Sequence, residues 1–89
     1  MYAITLELVF LLFCFVQNVK DEEYLRKFAD RLKAIRKEKS VTQEQLAYDS
    51  GLSLSQIARI ETAKNNATIC TIKVIAKALD VHPKELFDF

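Results

Sequence analysis

The 89-residue chain has one glycine, Gly51, one proline, Pro83, one histidine, His82, and two cysteines, Cys14 and Cys70. So few breakers, in a chain where Leu, Ile, Ala, Glu, Lys and Gln recur at helical intervals, point to an all-α fold with few strands or none. The cysteines lie in apolar surroundings with no CxxC or Cys/His spacing, so both are expected as reduced, buried thiols, and neither a metal nor another cofactor is expected. With no nucleophile, base and orienting group at usable spacing, an enzyme is not expected either. The length suits one domain with one core. It leaves no room for a separate ligand domain, so small-molecule sensing is not expected.

The net charge of +1 conceals a gradient. Between Tyr24 and Lys64 nine Lys/Arg face five acids, whereas from Asp80 to Phe89 one Lys faces three acids. Composition also changes abruptly near residue 20, where "MYAITLELVFLLFCFVQNV" gives way to "KDEEYLRKFADRLKAIRKEK". This divides the chain into an apolar segment, 1–19, and a domain, 20–89. The uninterrupted apolar run Leu8 to Val16 would span about 13 Å as a helix against a hydrocarbon core of roughly 30 Å, too short to cross a membrane comfortably. It also lacks the basic n-region and small-residue cleavage site of a secretory signal. The chain is therefore expected to be cytoplasmic. A helix is favoured for the segment over a strand, which the alternation of Ile4, Leu6 and Leu8 with Thr5 and Glu7 would allow. An apolar surface this size calls for cover. Self-association would supply it, extra core for the domain is the plainer alternative, and a start site downstream, on a codon other than Met, is the third.

Beyond residue 20, caps and periodicity place five helices. Asp21, Glu22 and Glu23 suit an N-terminus, and Leu25, Phe28, Leu32 and Ile35 repeat at three and four, giving helix one from about 21 to 38 with Arg26, Lys27, Arg31, Lys33 and Lys37 outside. Thr42 and Gln45 form a T-x-x-Q capping box for helix two, which ends at Ser50 with Gly51 past its end. Ser53 and Gln56 form a second box, opening helix three from Leu54 to about Ala63. Thr68 caps a fourth helix with an apolar stripe of Ile69, Ile72, Ile75, Ala76 and Leu79. His82 before Pro83 reads as the cap of a short fifth helix through Leu86 and Phe87.

Two short helices joined by a tight glycine-containing turn make a helix-turn-helix, whose second helix enters the DNA major groove. The stretch "TQEQLAYDSGLSLSQIARIE" resembles the lambda-repressor-like, or Cro and xenobiotic-response-element type, transcriptional regulators. Gln43, Leu46, Ala47, Gly51, Leu52, Ile57, Ile60 and Glu61 carry the match, and "TIKVIAKALDVHPKELF" is similar to that family's fourth and fifth helices. The resemblance covers about residues 22–89 and implies a five-helix domain that binds double-stranded DNA as a small transcriptional regulator. It also implies an ion pair of Arg36 with Glu61.

Physical chemistry supports the match position by position. Ala47 is small where the two helices cross, Gly51 takes a positive φ, and Ile57 and Ile60 turn inward. Ser55, Gln56 and Arg59 then share the outer face, and all three are side chains that hydrogen-bond base edges. Leu54 in the first turn would either meet a thymine methyl or pack against the protein. Gln43 stands at the positive end of helix two, and relatives use the matching glutamine on a phosphate. Thr62, Lys64 and Asn65 complete the expected DNA-facing set, the last two as phosphate contacts. The family commonly has Gly and Pro where this chain has Ala63 and Ala67, so Asn65 or Asn66 is expected to supply the left-handed cap. Two half-sites about one DNA turn apart call for a homodimer, through residues 2–19, helix five or both. The rival function is an antitoxin-like or adaptor module that uses the same fold to hold a protein partner, with a membrane role for residues 1–19 as its variant; a membrane is not the expected partner.

Overall fold

The computed structural model describes residues 20–89. The expectations for residues 1–19, a helical self-association segment with a buried Cys14, lie outside them. The described chain forms α1 (Glu22–Glu38), α2 (Gln43–Ser50), α3 (Leu54–Glu61), α4 (Ile69–Ala78) and a terminal 3-10 helix (Pro83–Phe87). Among the described residues there is no strand.

Each α-helix among the described residues starts on a side-chain cap. Asp21, Thr42, Ser53 and Thr68 accept from the backbone N–H of Tyr24, Gln45, Gln56 and Thr71. Each such bond satisfies one of the first-turn N–H groups that the helix leaves without an acceptor, and contributes about 1 kcal/mol. His82 Nδ1 does the same for Lys84 N–H at 3.1 Å. The expected fifth α-helix is instead a 3-10 turn, closed by Glu85 N–H to His82 O at 2.9 Å. With five residues it is short enough for the tighter winding.

The helix ends repay the scarcity of glycine. α1, α3 and α4 each close with a pair of backbone bonds around a left-handed residue: Ser40 (φ 57), Ala63 (φ 59) and Asp80 (φ 56). At α3, Ala63 N–H reaches Ile60 O and Lys64 N–H reaches Arg59 O, and the same pattern recurs around Ser40 and Asp80. The left-handed cap expected from Asn65 or Asn66 is thus taken by Ala63, and α3 stops at Glu61 rather than near Ala63. Geometry at the end of a helix is set by where the last carbonyls need donors, and that outweighs the residue preference.

Phe28, Leu32 and Ile35 of α1, Leu46 and Ala47 of α2, Ile57 and Ile60 of α3, Ile75 and Ala76 of α4, and Leu79 and Leu86 form one core. Burying each large aliphatic side chain contributes roughly 1.5–3 kcal/mol. α2 packs on both α3 and α4, while α1 packs on α3 and the 3-10 helix. Two side chains depart from the expected pattern. Ile69, at the head of the α4 stripe, is 86% exposed, and Cys70 is exposed rather than buried. The stripe has the right angular period, but its first turn projects past the body it packs on.

Candidate nucleic-acid interface

The turn between α2 and α3 is built on Gly51. Its φ of 77° is left-handed, and its N–H closes α2 on Ala47 O at 3.0 Å. A Cβ there would meet nothing within 4 Å, so the backbone dihedral alone selects glycine. Ser50 Oγ donates to Ala47 O and accepts from Leu52 N–H, both at 3.3 Å, which holds the chain as it leaves α2. Leu52 then tucks against the core and Ser53 starts α3.

The two capping boxes differ. At α3 the box is complete: Ser53 Oγ accepts from Gln56 N–H at 3.1 Å, and Gln56 Oε1 accepts from Ser53 N–H at 2.9 Å. At α2 only the Thr42 half forms, because the Gln45 side chain donates to Asp49 Oδ1 at 2.8 Å instead. The first turn of α3 is therefore pinned from both sides.

With Ile57 and Ile60 buried, α3 turns Ser55, Gln56 and Arg59 to solvent, with Leu54 44% exposed at its first turn. Among the described residues Arg59 makes no ion pair, so its guanidinium is held by no carboxylate. Gln56 combines two jobs that the sequence assigned separately. Its Oε1 serves the cap, which leaves both Nε2 hydrogens available to a groove. Thr62 caps the end of α3, and its hydroxyl sits 2.9 Å from Ala58 O and 3.3 Å from Arg59 O, so its proton is spent inside the protein. Thr62 O in turn accepts from Arg26 Nη2 at 3.3 Å, tying α1 to this end. Lys64 is exposed and Asn65 half-buried in the loop that follows.

Behind this face lies a buried ionic network. Arg36 of α1 meets Glu61 of α3 at two points, Nε to Oε2 at 2.7 Å and Nη2 to Oε1 at 2.9 Å, and Arg36 Nη1 donates to Val41 O at 2.9 Å. Glu61 is only 2% exposed. Taking a carboxylate out of water costs several kcal/mol, and a two-point guanidinium fork is the geometry that offsets it. Gln43, the first residue of α2, adds a third donor, Nε2 to Glu61 Oε1 at 3.1 Å. Sequence reading placed Gln43 on a phosphate and Glu61 in the pair. It missed the bond between them, because residues 18 apart on different helices share no periodicity that could reveal it.

Comparison with known proteins gives a consistent picture. A family described as "Helix-turn-helix" matches residues 32–86. Control protein C.BamHI of Bacillus amyloliquefaciens is 40% identical over 63 residues, covering 70% of this chain and 78% of that protein. The crystal structure of the restriction-modification controller protein C.AhdI from Aeromonas hydrophila superposes with a TM-score of 0.70 at 41% identity, covering 71% of this chain and 96% of that one. The controller C.Esp1396I, solved as a tetramer on its natural 35 base-pair operator, superposes with a TM-score of 0.70 at 38% identity, covering 76% of this chain and 90% of that one.

Proposed function

Because the chain belongs to the helix-turn-helix family of lambda-repressor-like regulators, we propose that it binds double-stranded DNA sequence-specifically as a small transcriptional regulator, with α3 in the major groove. The observation that carries this reading is the α3 face itself. Its inner side is fixed by buried Ile57 and Ile60, its first turn by a closed capping box, and its outer side offers hydrogen-bonding side chains in place of a solvated Glu/Lys surface.

In this reading Ser55, Gln56 and Arg59 address base edges, with Leu54 beside them against a thymine methyl. Gln43, Lys64 and Asn65 hold phosphates, and Thr62, with its proton committed to the end of α3, shapes the edge of that surface. The operator-bound controller, a tetramer on its DNA, supports a homo-oligomer that reads two half-sites, the homodimer being its unit. The same similarity supports a non-enzymatic role in the cytoplasm. No helix among the described residues is long and apolar enough to cross a membrane.

The test is a gel shift on the DNA upstream of the chain's own gene, with light scattering after size exclusion. A homodimer that retards that DNA in preference to a scrambled duplex supports the regulator. A chain that ignores DNA and co-purifies with a different protein supports the antitoxin-like or adaptor reading instead.

A further inference from the structure

We propose that Glu61 is a positioning residue for DNA binding: its buried carboxylate holds the Gln43 amide so that the second Nε2 hydrogen is presented to a DNA phosphate. This rests on the DNA-binding reading above and goes beyond the ion pair's role in stability.

A glutamine amide at a phosphate has two faces of opposite consequence, since its nitrogen donates and its oxygen repels an anion. Left to rotate, Gln43 would present either. Here the rotation is settled by Glu61, whose ionised carboxylate accepts and never donates, so only the amide nitrogen can face it, at 3.1 Å. The carboxylate cannot turn away, because Arg36 grips both of its oxygens at 2.7 and 2.9 Å. One Nε2 hydrogen is thereby used and the other is left to donate. It lies at the first residue of α2, where the backbone N–H groups of the first turn have no intrahelical acceptor and the helix dipole favours an anion. Arg36 also fixes the entry to α2 through Val41 O. One guanidinium thus sets both the backbone and the side chain of the phosphate contact. The Glu61 charge is neutralised by the same guanidinium, so it does not oppose the approaching phosphate.

Two measurements test this on the whole chain. In the 15N-labelled wild type, the Gln43 side-chain amide signals are assigned by their absence from Gln43→Ala. Without DNA, one of the two hydrogens should be shifted downfield and exchange slowly. Adding a random-sequence duplex at low salt should move the other. If the backbone amides of Ser55 and Arg59 respond while both Gln43 hydrogens stay unmoved, the positioning role is wrong and the DNA-binding reading stands. If no amide responds to random or selected duplex, the reading falls and takes this inference with it. The second measurement is a double-mutant cycle on affinity for that duplex, expressed per folded molecule. Gln43→Ala and Glu61→Gln should each weaken binding about tenfold, and the pair together no more than either alone. Losses that multiply to about a hundredfold would mean that Glu61 acts on binding independently of Gln43, and the positioning role would be wrong. Should Glu61→Gln fail to fold, the resonance experiment, which needs no change at Glu61, still decides.

Discussion

Gly51 and Ala63 close the two helices of the DNA-reading pair in the same left-handed backbone region, φ 77° and φ 59°, one without a Cβ and one with it. An L side chain in this region costs about 1–2 kcal/mol, and a glycine costs about 0.4–1 kcal/mol more to order from the unfolded chain. Ala63→Gly should therefore stabilise the domain by about 0.5–1 kcal/mol, and Gly51→Ala should destabilise it by a similar amount, since nothing within 4 Å obstructs the added methyl. Urea midpoints of the two variants should move in opposite directions, and the double exchange should come back close to wild type. A lowered midpoint for Ala63→Gly would mean that the alanine methyl is needed for packing.

The Arg36–Glu61 pair gives the largest single-residue effect expected of this fold. Replacing one partner strands the other charge in a site where Glu61 is almost fully buried, and breaking such a pair costs about 3–5 kcal/mol, against under about 1 kcal/mol for a surface pair. Glu61→Ala should lose about 3 kcal/mol or more in urea unfolding. A loss below about half a kcal/mol would show that the pair contributes no more than a surface contact.

The helix starts were legible because capping is local chemistry. Thr42, Ser53, Thr68 and His82 each accept the backbone bond that their positions announce. The Arg36–Glu61 pair was legible through family resemblance rather than through spacing. What stayed hidden depends on neighbours in space. Periodicity gives the direction in which Ile69 points around α4 but not whether any partner reaches that turn, and it lies bare. Cys70 was read as buried from its apolar neighbours in sequence, and in the fold it is exposed. The α2 box was half wrong because Asp49, one turn on, competes for Gln45. The Gln43–Glu61 bond joins two helices whose crossing only the folded chain defines. The fifth helix was placed correctly and misjudged in winding, since five residues that begin on a proline suit either form.

Removing residues 1–19 should leave the domain folded. All of the core side chains among the described residues lie between Phe28 and Leu86, and α1 begins on its own cap at Asp21. The truncated chain should keep its helical circular dichroism and a cooperative urea transition. Its mass in solution then assigns the dimer contact: a drop to the monomer places that contact in the removed segment, and an unchanged dimer places it on the described domain. Loss of the cooperative transition would show that the segment belongs to the core.

The DNA contacts should separate by role when the binding site is selected from random sequence at fixed salt. Arg59 can fork onto one guanine, so Arg59→Ala should cost roughly 1–3 kcal/mol on the preferred site and relax the choice at one or two base pairs. Lys64→Ala should weaken every sequence alike and reduce the salt slope by about one. Gln56 is the discriminating case, because it both closes the first turn of α3 and faces outward. Glutamate in its place keeps an acceptor for Ser53 N–H but removes the Nε2 donors. Gln56→Glu should therefore hold stability within about 0.5 kcal/mol of wild type while changing the base chosen opposite it. Gln56→Ala loses the cap as well and should show both effects. If the Arg59 and Gln56 variants all select the wild-type motif with undiminished preference at each position, then α3 is not the reading helix and the assignment of these residues fails.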